Sequence, residues 1–201
     1  MLILKRVHPA IKEIELHQGP IIITVTEFND TAVASLAEGL QKAIDSPQEF
    51  VPIVVQSYGG SVYALFQMID MLASCPKPIM TICQGRAMSC GAALLTCGAE
   101  GMRYCAPEAT IMIHEVSAGT FNKIEEMKVD VAEAERLNKK MFHIMAKNCS
   151  HGKNYFQDEI HRRAHADWFL DAKEAKRINL VNHIGLPMLE IEVDVKIKLV
   201  K

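Results

Sequence analysis

Three side chains in this sequence have the types and settings that acyl-transfer chemistry needs. Ser89 lies in the run Gly85-Arg-Ala-Met-Ser-Cys-Gly-Ala-Ala93, which follows the apolar stretch Ile79 to Cys83 and crowds tiny residues around one hydroxyl. A serine where a strand gives way to a helix has two readings. It caps the helix by accepting a backbone N–H, or it is a nucleophile whose anionic products sit at the positive helix end. His114 follows twenty-five residues later at the end of Thr110-Ile-Met-Ile, in a segment that reads as a strand to Val116, and is a candidate general base. Asp167, in His165-Ala-Asp-Trp-Phe-Leu-Asp171, brings a carboxylate to a partly buried turn ahead of a short helix. A fourth feature is Gly59-Gly60, where the apolar run beginning at Val54 breaks before the helical pattern Val62, Leu65, Phe66, Ile69. Two glycines at a strand end let backbone N–H groups face a ligand, as an oxyanion hole requires.

Taken together and in order, Gly59-Gly60-Ser61-Val62, Ala87-Met-Ser-Cys-Gly-Ala92, Ile111-Met-Ile-His114 and Ala166-Asp-Trp-Phe-Leu170 make the chain resemble ClpP, the proteolytic subunit of the Clp protease, from about Pro20 to Gly185. The resemblance implies a serine endopeptidase with Ser89 as nucleophile, His114 as general base and acid, and Asp167 orienting the imidazole. It implies that the N–H groups of Gly60 and Cys90 hold the oxyanion, and that Gly59, Ser61, Val62, Glu115, Val116 and Gly119 line the peptide. It further implies an α/β spiral of β-β-α units shared with crotonases, with a protruding handle helix. The implied assembly is a homo-oligomer of stacked heptameric rings that encloses unfolded proteins or short peptides. ATP would be used by a separate AAA+ unfoldase such as a Clp ATPase, and this subunit would need no cofactor. Three other readings remain: a phage-type prohead maturation protease of the same fold, a catalytically inactive ring subunit, and a crotonase-like acyl-CoA enzyme. Tyr58 stands where the family usually carries proline, and Glu115-Val-Ser-Ala replaces a more glycine-rich run.

The elements that must carry these residues read as an alternation of strands and helices within one domain, 1–201. Residues 11–17 suggest an edge strand, and Pro20 to Thr26 a buried one from its β-branched run. Asn29-Asp30 reads as a cap for a helix carrying Val33, Leu36, Leu40 and Ile44, ended at Ser46-Pro47. Pro52 to Gln56, Tyr63 to Ser74 and Ile79 to Cys83 supply strand, helix and strand; Pro107 marks a loop. Residues 122–148 give the strongest helical pattern, with Ile124, Met127, Val131, Ala134, Leu137, Met141, Ile144 and Met145 on one stripe. The resemblance makes this the handle helix. Residues 154–164 read as a short helix with Tyr155, Phe156 and Ile160 inward. In the tail, Ile191, Val193, Val195, Ile197 and Leu199 alternate with charges, which predicts an extra C-terminal strand over about 190–200.

Composition narrows the classes. A formal net charge of −2 gives no basic field, so nucleic acid is not an implied partner. No stretch approaches eighteen apolar residues, so no membrane span is expected. The charges of Met1-Leu-Ile-Leu-Lys-Arg come in the wrong order for a signal peptide, and the six cysteines lack a Cys-x-x-Cys pair. Together they suggest core thiols in a reducing cytoplasm. Cys90 offers a thiol beside Ser89, but the resemblance gives its position to an oxyanion N–H. His151, His161 and His165 are close in sequence without a neighbouring carboxylate in a recognised pattern, so no metal is expected. Asp171 competes with Asp167 for the helix cap, and Asp158 is a weaker third triad candidate.

Overall fold

The computed structural model describes residues 19–117 and 123–189. The expected strands at 11–17 and 190–200, and Gly119, lie outside the described residues. The unit Ile21–Leu186 carries the fold described here.

Its sheet is mostly parallel, and its longest strand does the organising. Strand β3 (Ile79–Met88) pairs through its first half with β4 (Arg103–Cys105) and through its second half with β5 (Thr110–Ile113). On its other side lie β2 (Val51–Ser57) and then β1 (Ile23–Val25), all parallel. β7 (His183–Ile184) extends the sheet beyond β4, and β6 (Trp168–Leu170) is antiparallel to β5. This is the mixed α/β architecture the strand-helix alternation predicts.

Two strands differ from expectation. β3 continues five residues past Cys83 because Gly85 takes φ 78°, a left-handed step that a glycine makes without Cβ strain, and the strand resumes toward Ser89. β1 is buried on one face only, with Ile23 and Val25 inside and Thr24 exposed, because the helix that contains Gly39 packs on the Ile23 face. β4 was not marked by its sequence at all: three residues carry too little periodicity to stand out.

The helices start where side chains can satisfy their first N–H groups. Asn29 caps α1 (Asp30–Asp45) by accepting from the Ala32 N–H at 2.8 Å, and Leu36, Leu40 and Ala43 form its buried stripe. Ser61 caps α2 (Val62–Ala73) through the Ala64 N–H. α3 (Cys90–Leu95) is buried along its whole length and touches β2, β3, α2 and α4, so only small or apolar residues fit it. In α4 (Ile124–Asn148) the stripe divides. Leu137, Met141, Phe142 and Met145 are in the core, whereas Ile124, Val129 and Val131 are exposed. α5 (Tyr155–Arg162) buries Phe156 and Ile160, while Tyr155 stacks on His151 with ring centroids 3.8 Å apart. Asp171 caps α6 (Ala172–Arg177) in a capping box with Glu174, which settles the competition with Asp167 for that role.

One buried cation ties late elements to early ones. Arg103 is 1% exposed and donates to the side chains of Asn182 and Asn179 and to the carbonyl of Asn148. It locks β4 to the end of α4 and to the turn after α6.

Candidate active site

Ser89 occupies the sharp turn between β3 and α3 at φ 55°, ψ −119°, left-handed backbone for a residue that has a Cβ. Such a conformation costs about 1–3 kcal/mol and persists only where its surroundings impose it. Here the imposition is visible. The Ser89 N–H donates to the Met112 carbonyl at 2.8 Å, and its own carbonyl accepts from Ala92 and Ala93 at the start of α3. The hydroxyl does not cap the helix. It lies 2.8 Å from His114 Nε2, so the cap reading gives way to the pairing with histidine.

Register explains why these residues meet. Met88 is opposite Met112 in the parallel β3–β5 pair, which puts the next residue, Ser89, beside the end of β5, where His114 follows Ile113. Ile113 is opposite Trp168 in the antiparallel β5–β6 pair, so one further step sets Asp167 across from His114. The His114 Nδ1 to Asp167 Oδ1 distance is 3.6 Å, and the Asp167 side chain is 51% exposed. A hydrogen bond of ordinary length would require an approach of about 0.8 Å. Asp158 lies in the first turn of α5.

The glycine pair is built against the serine. A Cβ on Gly59 would come within 2.8 Å of Ser89 Cβ, and one on Gly60 within 2.6 Å of the Phe28 carbonyl oxygen. Their φ values of 111° and 152° belong to the region glycine alone enters freely. The Gly59 N–H donates to Ser57 Oγ at 3.0 Å, which fixes the turn. Cys90 is fully buried; burial pushes its thiol up from the usual range, and Sγ donates to the Gly60 carbonyl. A thiol so held is neutral at physiological pH and is no nucleophile. An open cleft of about 610 Å³ flanks the pair, with Arg86 stacked over the exposed Tyr58 ring at 3.9 Å.

The sequence model of the Clp protease family matches residues 11–187. The chain belongs to the Clp protease family. Family membership carries peptidase chemistry, and in this Clp protease family member Ser89 and His114 stand within hydrogen-bonding distance. Among the described residues no helix is long and apolar enough to cross a membrane.

The other expected peptide-lining residues fare unevenly. Gly59 abuts Ser89, whereas the Ser61 hydroxyl caps α2 and Val62 is that helix's first residue. The Val116 N–H is taken by Asn138 Oδ1 at 3.2 Å, and Glu115 Oε2 lies 2.6 Å from His165 Nδ1. Strand addition by a peptide at 115–116 therefore competes with contacts already made. Asn138, nearly buried in α4, was missed in the sequence. Its only signal is a polar residue beside Leu137 at the core edge of an apolar stripe.

Proposed function

We propose that this chain is a serine endopeptidase that cleaves unfolded polypeptides or short peptides inside a ring-shaped chamber. The observation that carries the reading is the 2.8 Å approach of Ser89 Oγ to His114 Nε2 at a strained strand-to-helix turn. In the tautomer protonated at Nδ1, Nε2 accepts the serine proton as Oγ attacks the scissile carbonyl. The N–H groups of Gly60 and Cys90 receive the oxyanion, at a turn kept open by the absence of Cβ atoms. His114 then returns the proton to the leaving amine, and water, activated by the same imidazole, releases the acyl group. Asp167 holds the imidazolium as it forms, closing from its 3.6 Å separation when substrate is bound.

The exposed apolar residues of the first half of α4, Ile124, Val129 and Val131, support the reading of that helix as the handle between stacked rings. Oligomerisation would cover them. An AAA+ unfoldase would supply ATP-driven unfolding, and no cofactor is assigned to this subunit. A crotonase-like acyl-CoA enzyme would have no need of the serine-histidine pairing. A fluorogenic peptide assay on the assembled protein tests the proposal. Turnover is expected to vanish in Ser89→Ala, with sedimentation well above the mass of one chain. Unchanged turnover in that variant would overturn the assignment.

A further inference from the structure

A second cluster of chemistry-bearing side chains sits beside the serine site and belongs to none of the steps above. Glu115, His161 and His165 come from the end of β5, the last turn of α5 and the segment that follows it. Their ligand-type atoms all lie within 4.8 Å of one another. In sequence no recognised ligand pattern joins a carboxylate to the two histidines; the fold brings Glu115 to them from forty-six residues before His161.

The arrangement is held in place. Ala164 and His165 both take left-handed backbone, φ 53° and 62°, which turns the chain back after α5. The His165 ring then reaches Glu115 Oε2 at 2.6 Å and lies 4.8 Å, centroid to centroid, from the His161 ring. The other carboxylate oxygen of Glu115 receives Asn138 Nδ2 at 3.5 Å, and Asn138 itself is anchored by the Val116 N–H. An outer partner of this kind orients a ligating carboxylate.

We propose that Glu115, His161 and His165 form a binding site for a divalent transition cation of the Zn²⁺ class. Two imidazoles and one carboxylate are a donor set Zn²⁺ accepts, with water in the fourth position. Tetrahedral bonds of about 2.0–2.2 Å separate ligand atoms by about 3.4 Å, so the widest pair must close by at most about 1.4 Å while the 2.6 Å pair of Glu115 Oε2 and His165 Nδ1 opens by about 0.8 Å. Both imidazoles are exposed, so solvent and not core packing surrounds them as they adjust. An occupying ion would clip the end of β5 to the segment between α5 and β6, the two stretches that also carry His114 and Asp167. The site does not depend on the peptidase reading, because binding is measured without turnover.

The test is titration of the full-length Ser89→Ala protein with Zn²⁺ by calorimetry, and with Co²⁺ by absorption spectroscopy, at about pH 7.5. We expect one equivalent per chain, a tetrahedral Co²⁺ spectrum without a thiolate charge-transfer band, and a raised melting temperature. His161→Gln and His165→Gln should each weaken binding at least tenfold and abolish the thermal shift while melting normally without metal. No saturable binding below 100-micromolar-scale metal (on the order of 10⁻⁴ M, a level too weak for a three-ligand site) would overturn the proposal. So would a thiolate band, or equal affinity in the histidine variants.

Discussion

Replacing Gly59 by alanine tests how the glycine pair serves the serine. The new Cβ would stand 2.8 Å from Ser89 Cβ and 3.2 Å from both Ser89 Oγ and the Met88 carbonyl oxygen. Carbon atoms in ordinary contact are at least about 3.5 Å apart, so Ser89 or the turn must move by about 0.7 Å. The nearest obstacle is the proposed nucleophile itself, whose hydroxyl lies 2.8 Å from His114 Nε2. A misplacement approaching 1 Å costs on the order of 10²-fold in rate, about 2.7 kcal/mol of barrier. Left-handed backbone at φ 111° adds about 1–2 kcal/mol against folding. Gly101→Ala separates the two effects, since Gly101 has φ 77° but nothing within 4 Å of its Cβ position. It should lose about 1–2 kcal/mol of stability and keep its turnover. Peptide hydrolysis by both variants, with thermal melts to establish folding, provides the comparison. A folded Gly59→Ala protein with kcat/KM within threefold of wild type would refute the steric argument.

Other expectations follow from the same coordinates. Asp167→Asn should lower kcat by about 10–10³-fold with little change in KM, less than the roughly 10⁴-fold seen for a fully buried triad aspartate, because the Asp167 pair is long and half exposed. Steady-state kinetics decide it, and an unchanged kcat would remove Asp167 from the mechanism. Arg103→Met should destabilise the fold by about 3 kcal/mol, or about 6–12 °C in Tm, by stranding the Asn148 carbonyl and the Asn179 and Asn182 side chains; a shift under about 2 °C would contradict that role. Burial pushes the Cys149 thiol up to about 12. The unfolded thiol ionises first as pH rises, so its stabilising share is complete below the ordinary thiol range and is lost toward pH 12. Melting temperature should therefore fall above about pH 9, and less steeply in Cys149→Ala. Cys90 should resist iodoacetamide in the native protein and react after unfolding; rapid native alkylation would contradict its burial.

Much of the site was legible because its parts are local. The glycine pair, the small-residue turn at Ser89 and the apolar strand before His114 are each written within a few consecutive residues. The helices were legible for the same reason, down to the Asn29 cap. What sequence could not supply was register: that Asp167 faces His114 follows from β6 pairing antiparallel with β5, and nothing in either segment alone dictates the offset. Contacts across long separations were likewise hidden. Asn138 reaches Val116 and Glu115 from another element, Arg103 finds partners 45 to 79 residues away, and Glu115 meets His165 across 50 residues. At Ser89 the local capping rule, one of the two readings its sequence allowed, pointed the wrong way. A residue just before a helix normally caps it, and here the turn into α3 directs the hydroxyl to the histidine instead.

The central claim is that Ser89 is the nucleophile. Labelling the assembled protein with a fluorophosphonate probe and mapping the adduct by mass spectrometry tests it most directly, with Ser89→Ala and His114→Ala as controls. The account predicts one adduct per chain on Ser89, absent in the first control and strongly slowed in the second. An adduct on another residue, or none on a folded and assembled sample that hydrolyses peptide, would contradict it.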